Sequence, residues 1–473
     1  MKNTLLAFGA VALVSQVPAS LCSNASAATW QYVLPVVKGA PAPTIEVCSL
    51  KYGKTWAYSF EQDDGPVGVL NVTQPFFAKY GWNDAPPGVA GGTNRPFVGT
   101  AAIILGSVGS NDTVLSFEQI AELKKRGWGI ANHSFWHTGV HWDPKLLNTP
   151  EQNRRELFWS QTFFAEFVGH GRAATHFVFP NGDYNYGPYL KEYGLLCGTR
   201  TSGWSPHNLL DPKLNLLNFP RAYLDENNWA NSNDPMQEFP AKPQANDFLI
   251  DFTHGMDGDP QSANNKRWVA RLDHITQTWG PKGDNSMWVA PSDEVVAYFL
   301  AARVAKASVN AGKITVALPE EAPGSALTLK ISGLSEKAVL KLPAGGTIVR
   351  QGATAWLTTP VIGQLGAAPP APHVHCIYQG EVKDLAWDKP VAIAGVRVNR
   401  SGKLPDGFEL KVEALTPDGK TENIVTVDRA ALDKKWGNQL YCVLPDHPAI
   451  AAKELHVTKD QGLSTMEVWG VSP

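Results

Sequence analysis

Between about residues 50 and 305, short apolar runs alternate with amphipathic segments, and this alternation limits the possible folds more than any other feature. "TAAIILG" (100–106) reads as a buried strand and "SFEQIAELKKRG" (116–127) as a helix. Ser116 caps that helix, Gln119 completes a capping box, and Gly127 ends it. Phe117, Ile120, Ala121 and Leu123 give it one apolar face. "WGIA" (128–131) is the next strand. Thr149 and Pro150 open a long helix reaching about Val168, with a cap and a proline at the first position. "HFVFP" (176–180) and "DFLIDFTH" (247–254) are further strands, and helices follow near 264–278 and 292–307. Repeated β-α units predict an α/β domain with a parallel sheet or barrel. In such folds the chemistry sits on loops at the C-terminal strand ends.

After about Ser308 the helical period stops. "KITVALP", "ALTLKISG", "AVLKLP" and "GTIVRQGATAWL" read as short strands of a small all-β domain over 306–364. "GQLGAAPPAPH" is a linker by its Gly, Ala and Pro content. A second all-β domain is expected over 365–473, from "IAGVRVNR", "FELKVEAL", "NQLYCVLP", "KELHVTK" and "MEVWGV". A chain of 473 residues is too long for one ordinary core, which agrees with an α/β domain over 28–305 followed by two small β domains. Neither β region carries a catalytic cluster.

The first 27 residues have a lysine, a short apolar run and "ASA" at Ala25–Ala27, the pattern of a secretory signal peptide. "ASLC", ending at Cys22, has a weaker likeness to a lipoprotein cleavage box. No later segment has the ~18 apolar residues of a membrane span. Secretion, extracellular or periplasmic, favours disulfides, and Cys48–Cys197 and Cys376–Cys442 are the expected pairs. A formal net charge of -3 gives no basic excess that would point to nucleic acid. The 16 tryptophans, with 42 glycines and 35 prolines, suit a loop-rich protein that stacks on sugar rings, or simply a core and its loops.

The strongest chemical signal is "NHSFWH", with His133 and His137 four apart just after a strand. Two imidazoles at this spacing can meet one metal ion; a structural histidine pair is the ordinary alternative. Asp64, in "SFEQDDG", also follows a strand and is the candidate third ligand; a turn residue is its alternative. An Asp-His-His set leaves a position open, where a cation lowers the pKa of its water from 15.7 toward ~7. Asp63, beside the ligand, can act as base, and His254, at another strand end, as acid toward a departing amine. For His254 a packed or surface role is the alternative. The backbone N–H after Pro180, that of Asn181, is a candidate oxyanion donor, although Pro180 and Gly182 also suit a plain turn.

"DDG" at 63–65, "HSFWH" at 133–137, "FPNGDYN" at 179–185 and "FTHG" at 252–255 occur in that order. Together they resemble the motifs of the polysaccharide deacetylases, carbohydrate esterase family four, over roughly residues 50–305. The resemblance implies a distorted (β/α) barrel that binds a divalent metal, usually zinc, through Asp64, His133 and His137. It implies Asp63 as general base, His254 as general acid, and hydrolysis of an N-acetyl, sometimes O-acetyl, group on a sugar. Three departures stand out. Glu61 and Gln62 replace the family's threonine and phenylalanine. Val178 and Asn181 stand where many members carry arginine and tyrosine, leaving Asp63 without a recognised partner. The fourth motif is best matched by Asp225 and Trp229, to orient His254 and to wall the acetyl pocket.

Other features are weaker. "HVHC" (373–376) lacks further ligands around it, and "NYGPY" (185–189) suits stacking or packing equally. The last β region has a faint likeness to a discoidin-type jelly roll, which would imply carbohydrate binding; a spacer is the alternative. The expected partner is an acetylated polysaccharide or oligosaccharide. The rival readings are a decayed carbohydrate-binding scaffold and a metal amidohydrolase of small amides.

Overall fold

The computed structural model describes residues 28–34, 42–137, 148–201, 206–224, 242–259, 261–400, 406–428, 441–443, 449–458 and 462–471. The expected leader over 1–27, Asp225 and Trp229 lie outside these residues. Parallel strands close into a barrel: β1 (Trp56–Gln62), β2 (Thr100–Ile103), β3 (Gly129–Asn132), β4 (His176–Val178), β5 (Cys197–Thr201), β6 (Phe219–Tyr223) and β7 (Asp247–Thr253). Each pairs with its successor, and β7 returns to β1 with Phe248 opposite Ala57 and Thr253 opposite Gln62. β8 (Met287–Val289) lies parallel to the first half of β1. The outer helices are α1 (Phe117–Lys125), α2 (Pro150–Phe163), α3 (Ala263–Trp279) and α4 (Ser292–Val304). The capping box of Ser116 and Gln119 forms as read from the sequence, and Thr149 caps α2.

Every residue of β1 is buried, as expected for a strand covered on both faces. Alternation along the strand then assigns the faces. Phe60 points outward, stacking on Phe77 at 4.0 Å and meeting Trp128 and Trp268 edge-on. Glu61 points inward, where it meets side chains from β4, β5 and β6.

The remaining strands form antiparallel sheets. Ala28–Val33 pairs with Lys313–Leu318, and Thr44–Val47 with Ser325–Ser332. The first described strands therefore complete sheets built from residues beyond the barrel. "AVLKLP" is not a strand. Pro343 has no N–H for a ladder, and the Lys341 carbonyl accepts instead from the Tyr32 hydroxyl. The C-terminal sheet orders Val374–Glu381, Leu463–Val471, Leu385–Arg400, Ile450–Val457, Glu409–Leu415 and Thr421–Asp428 side by side. It has its own core of Ile393, Val396, Leu410, Val412, Leu455 and Met466.

The expected disulfides do not form: Cys48, Cys197 and Cys376 are free. Cys197 is buried within β5, whereas Cys48 pairs its backbone with Thr328 in a different sheet. Alike even numbers of cysteines cannot encode that separation. Among the described residues no helix is long and apolar enough to cross a membrane.

Candidate active site

The four motifs at 63–65, 133–137, 179–185 and 252–255 lie at C-terminal strand ends, on one mouth. Asp63 and Asp64 follow β1, His133 follows β3, Pro180 follows β4 and His254 follows β7. Asp64 and Gly65 both adopt left-handed backbone, with φ of 70° and 64°. Aspartate tolerates that region better than most residues, and glycine enters it without steric cost. The chain thereby turns so that Asp64 faces across the mouth while Asp63 stays inside. Ser134 and His137 are also left-handed, with φ of 65° and 62°. Backbone strain of this kind gathers at functional sites.

The turn brings Asp64 Oδ1 to 3.4 Å from His133 Nε2 and 3.5 Å from His137 Nε2. The three ligand atoms lie within 4.8 Å of one another, and no other such cluster of three occurs among the described residues. Asp64 Oδ1 is buried without a hydrogen-bond partner among those residues, an orphan that a cation between the three atoms would satisfy. His133 Nδ1 lies 2.8 Å from the Val178 carbonyl oxygen. That oxygen only accepts, so Nδ1 carries the proton and Nε2 is left as a ligand. Burial, reinforced by His133, lowers His137 to about 4, which keeps its imidazole neutral for coordination. Burial would raise Asp64, but His133, His137 and His254 together hold it at about 2. The donor set therefore fits a divalent metal.

Asp63 is buried and has a partner that the motifs did not reveal. Arg221, on β6, donates from Nη1 to Oδ1 and from Nη2 to Oδ2, each at 2.8 Å. Burial pushes the Asp63 carboxyl up, but Arg221, with His133 and His254, outweighs it and leaves the group below its ordinary range. The same Nη1 donates to Glu61 Oε2 at 2.8 Å, and the guanidinium lies 3.8 Å from the Phe252 ring centroid. Glu61 also accepts from Thr199 Oγ1 at 3.0 Å and Ser292 Oγ at 2.5 Å. Glu61 thus holds Arg221 from beneath. Asp63, left without a recognised partner by the motifs, is thus clamped by a residue from another strand. The sequence signal was a single arginine inside the apolar run "NFPRAYL". An arginine in a buried strand needs an acid opposite it.

Gln62 donates from Nε2 to the His254 carbonyl at 3.2 Å. The His254 ring is exposed, its Nδ1 lies 2.8 Å from the Tyr223 hydroxyl, and it acts electrostatically on both Asp63 and Asp64. Tyr223 in turn stacks on Phe252 at 4.6 Å. Tyr223 therefore occupies a hydrogen-bonding place beside His254, two residues before Asp225 in the chain. Pro180–Gly182 form a tight turn with Asn181 left-handed, and the Asn181 N–H has no partner among the described residues. In "NYGPY", Tyr186 is buried against Phe177 and Tyr189 lies under Arg154, so both serve packing. Tyr184, one residue earlier, is exposed and tilted against Phe179.

No protein-family model matches the chain, and no curated protein does. Solved structures similar to it include the Streptococcus pyogenes deacetylase PplD in complex with acetate, at 18% identity and TM-score 0.26. That likeness covers 34% of this chain and 62% of the other. A polysaccharide deacetylase from Bacillus cereus is 20% identical, with 34% and 45% covered and a TM-score of 0.25. A de-N-acetylase from Aggregatibacter actinomycetemcomitans is 15% identical, with 34% and 68% covered and a TM-score of 0.25. The chain spans less than two thirds of the length of the first two.

Proposed function

We propose that this chain is a secreted, metal-dependent carbohydrate deacetylase that hydrolyses N-acetyl, or O-acetyl, groups on a glycan and releases acetate. One observation carries the reading: an Asp64–His133–His137 triad opens beside an arginine-clamped Asp63 at the barrel mouth. The ordered motifs support it as well. A divalent cation, zinc by preference, would supply Lewis acidity that polarises a carbonyl and acidifies water.

The chain's own groups do the rest. Asp63 is an anion at neutral pH and takes the proton of the attacking water. Arg221 engages both its oxygens, fixing the plane of the carboxylate while each oxygen keeps a lone pair. The Asn181 N–H donates to the oxyanion that develops on the acetyl carbonyl. His254 hands a proton to the departing nitrogen, which leaves as a neutral amine. Tyr223 holds His254 through Nδ1, and the motifs imply Asp225 as a further support of His254 and Trp229 as a wall of the acetyl pocket.

The test uses the purified chain with added zinc and a panel of N- and O-acetylated glycans and small amides. Acetate release from a glycan is expected, and Asp63→Asn should abolish it with metal content unchanged. His133→Ala should lose the metal. Glycan binding without any product would replace this reading with that of a binding scaffold, and product from small amides alone with that of an amidohydrolase.

A further inference from the structure

The four N–H groups from Ser134 to His137 belong to no helix or sheet, yet each is accepted by a side-chain oxygen. Asn132 Oδ1 takes that of Ser134 at 2.9 Å, and Ser134 Oγ takes that of His137 at 2.8 Å. Glu156 Oε2 takes both central ones, from Phe135 at 2.8 Å and Trp136 at 2.7 Å. Glu156 is fully buried and lies on α2. The same helix holds the start of the loop, because Asn132 Nδ2 donates to Ser160 Oγ at 2.8 Å and Gln161 Oε1 at 3.1 Å. The spacing of His133 and His137 and the left-handed turns at Ser134 and His137 are therefore held largely by one helix.

That helix is itself gripped from behind by the C-terminal β domain. Trp469, fully buried, stacks on Phe163 with centroids 4.2 Å apart and planes at 23°. It meets Trp159 and Phe167 edge-on. Phe163 also packs edge-on against Phe135 of the histidine loop, at 4.9 Å. Arg397 adds a second clasp: its guanidinium lies 5.2 Å from the Phe163 ring centroid, and Nη2 donates to the Val108 carbonyl at 3.0 Å. A continuous path of contacts thus runs from the C-terminal sheet through Trp469 and Phe163 to Phe135, and through α2 and Glu156 to the backbone between the two histidines.

We propose that Glu156 and Trp469 are positioning residues for the metal-binding loop, and that the C-terminal β domain is part of the metal site's support. It rests on the reading of Asp64, His133 and His137 as ligands. Groups that orient ligands without touching the metal commonly change affinity by about 10–100-fold when removed. Phe135 and Trp136 lie between two ligands, so loss of either anchor lets the imidazoles diverge.

The experiment measures zinc affinity of the full chain by chelator competition, with the visible spectrum of the cobalt-loaded protein as a geometric signature. Trp469→Ala, Trp469→Phe, Glu156→Gln and Glu156→Ala are compared with the wild type well below each variant's melting temperature. Expected is a loss of about 10-fold or more for Trp469→Ala and Glu156→Ala. An altered cobalt spectrum should accompany it, with most of the affinity restored in Trp469→Phe. Glu156→Gln keeps an acceptor oxygen and should fall between. Should Trp469→Ala fail to fold, Glu156→Gln and Trp469→Phe still decide the matter by their affinity and spectrum. Folded variants with wild-type affinity and spectrum, merely lower in melting temperature, would overturn the proposal. A wild type that binds neither metal would instead overturn the metal reading itself.

Discussion

Arg221 ties together two of the site's buried carboxylates. Its guanidinium lies between two buried carboxylates, Asp63 and Glu61, and both of its terminal nitrogens are engaged. Removing one member of such a group leaves uncompensated charge, typically at a cost of about 3–5 kcal/mol. Arg221→Ala should therefore lower stability by roughly that amount in chemical denaturation. Arg221→Lys keeps the charge but not the planar fork, so it cannot hold both Asp63 oxygens. Its expected signature is a fall in kcat of about 10–100-fold with metal content unchanged, since oriented proton transfer contributes at most ~10⁴-fold. Equal kcat in Arg221→Lys and wild type would show that only the charge matters. Glu61 is tied to the same arginine and is not among the three candidate ligands.

At the scale of elements, α4 carries a buried cost in its first turn. Asp293 Oδ1 is buried without a hydrogen-bond partner among the described residues. Burial, with added repulsion from Glu294, pushes its carboxyl from 3.8 up to about 6, against the opposing pull of the nearby backbone N–H groups. A raised acid binds its proton more tightly in the folded state. Its favourable contribution is complete below the unfolded value of 3.8 and is lost as pH rises through about 6. Asp293→Asn should then be more stable than wild type at pH 8, by on the order of 1 kcal/mol, with the gain gone by about pH 4. Melting curves across that range check it, and a gain that grows toward acid would contradict it. In α1 the capping box makes the opposite kind of contribution, and Ser116→Ala should cost about 1 kcal/mol at any pH where the fold holds.

At the scale of the whole molecule, the first described strands lie against strands nearly three hundred residues later. Ala28–Val33 forms the edge of a sheet on Lys313–Leu318, and Thr44–Val47 does the same on Ser325–Ser332. Deleting residues 28–47 should expose those edges and loosen the sheets over 306–362 while the barrel strands remain paired. Limited proteolysis should show new cuts within 306–362, and unchanged protection there would refute the dependence.

The sequence by itself determined the local elements and the mouth. Periodicity, caps and strand ends placed α1, α2, β1, β3 and β7 near where they lie, because those signals depend on neighbours three or four residues away. The strand-end motifs placed Asp63, Asp64, His133, His137 and Pro180 on one mouth for the same reason, since the parallel β-α repeat puts all such ends on one side. Tertiary structure alone decided the partners. Arg221 reaches Asp63 across 158 residues, Trp469 reaches Phe163 from a separate sheet, and Cys48 bonds to Thr328 beyond the barrel while Cys197 lies in β5. Such pairings follow from barrel closure and from how whole sheets dock, and no local spacing encodes them. From the sequence, Asp64 is the expected partner of the histidines and Asp63 the free carboxylate; the fold added the arginine that clamps Asp63.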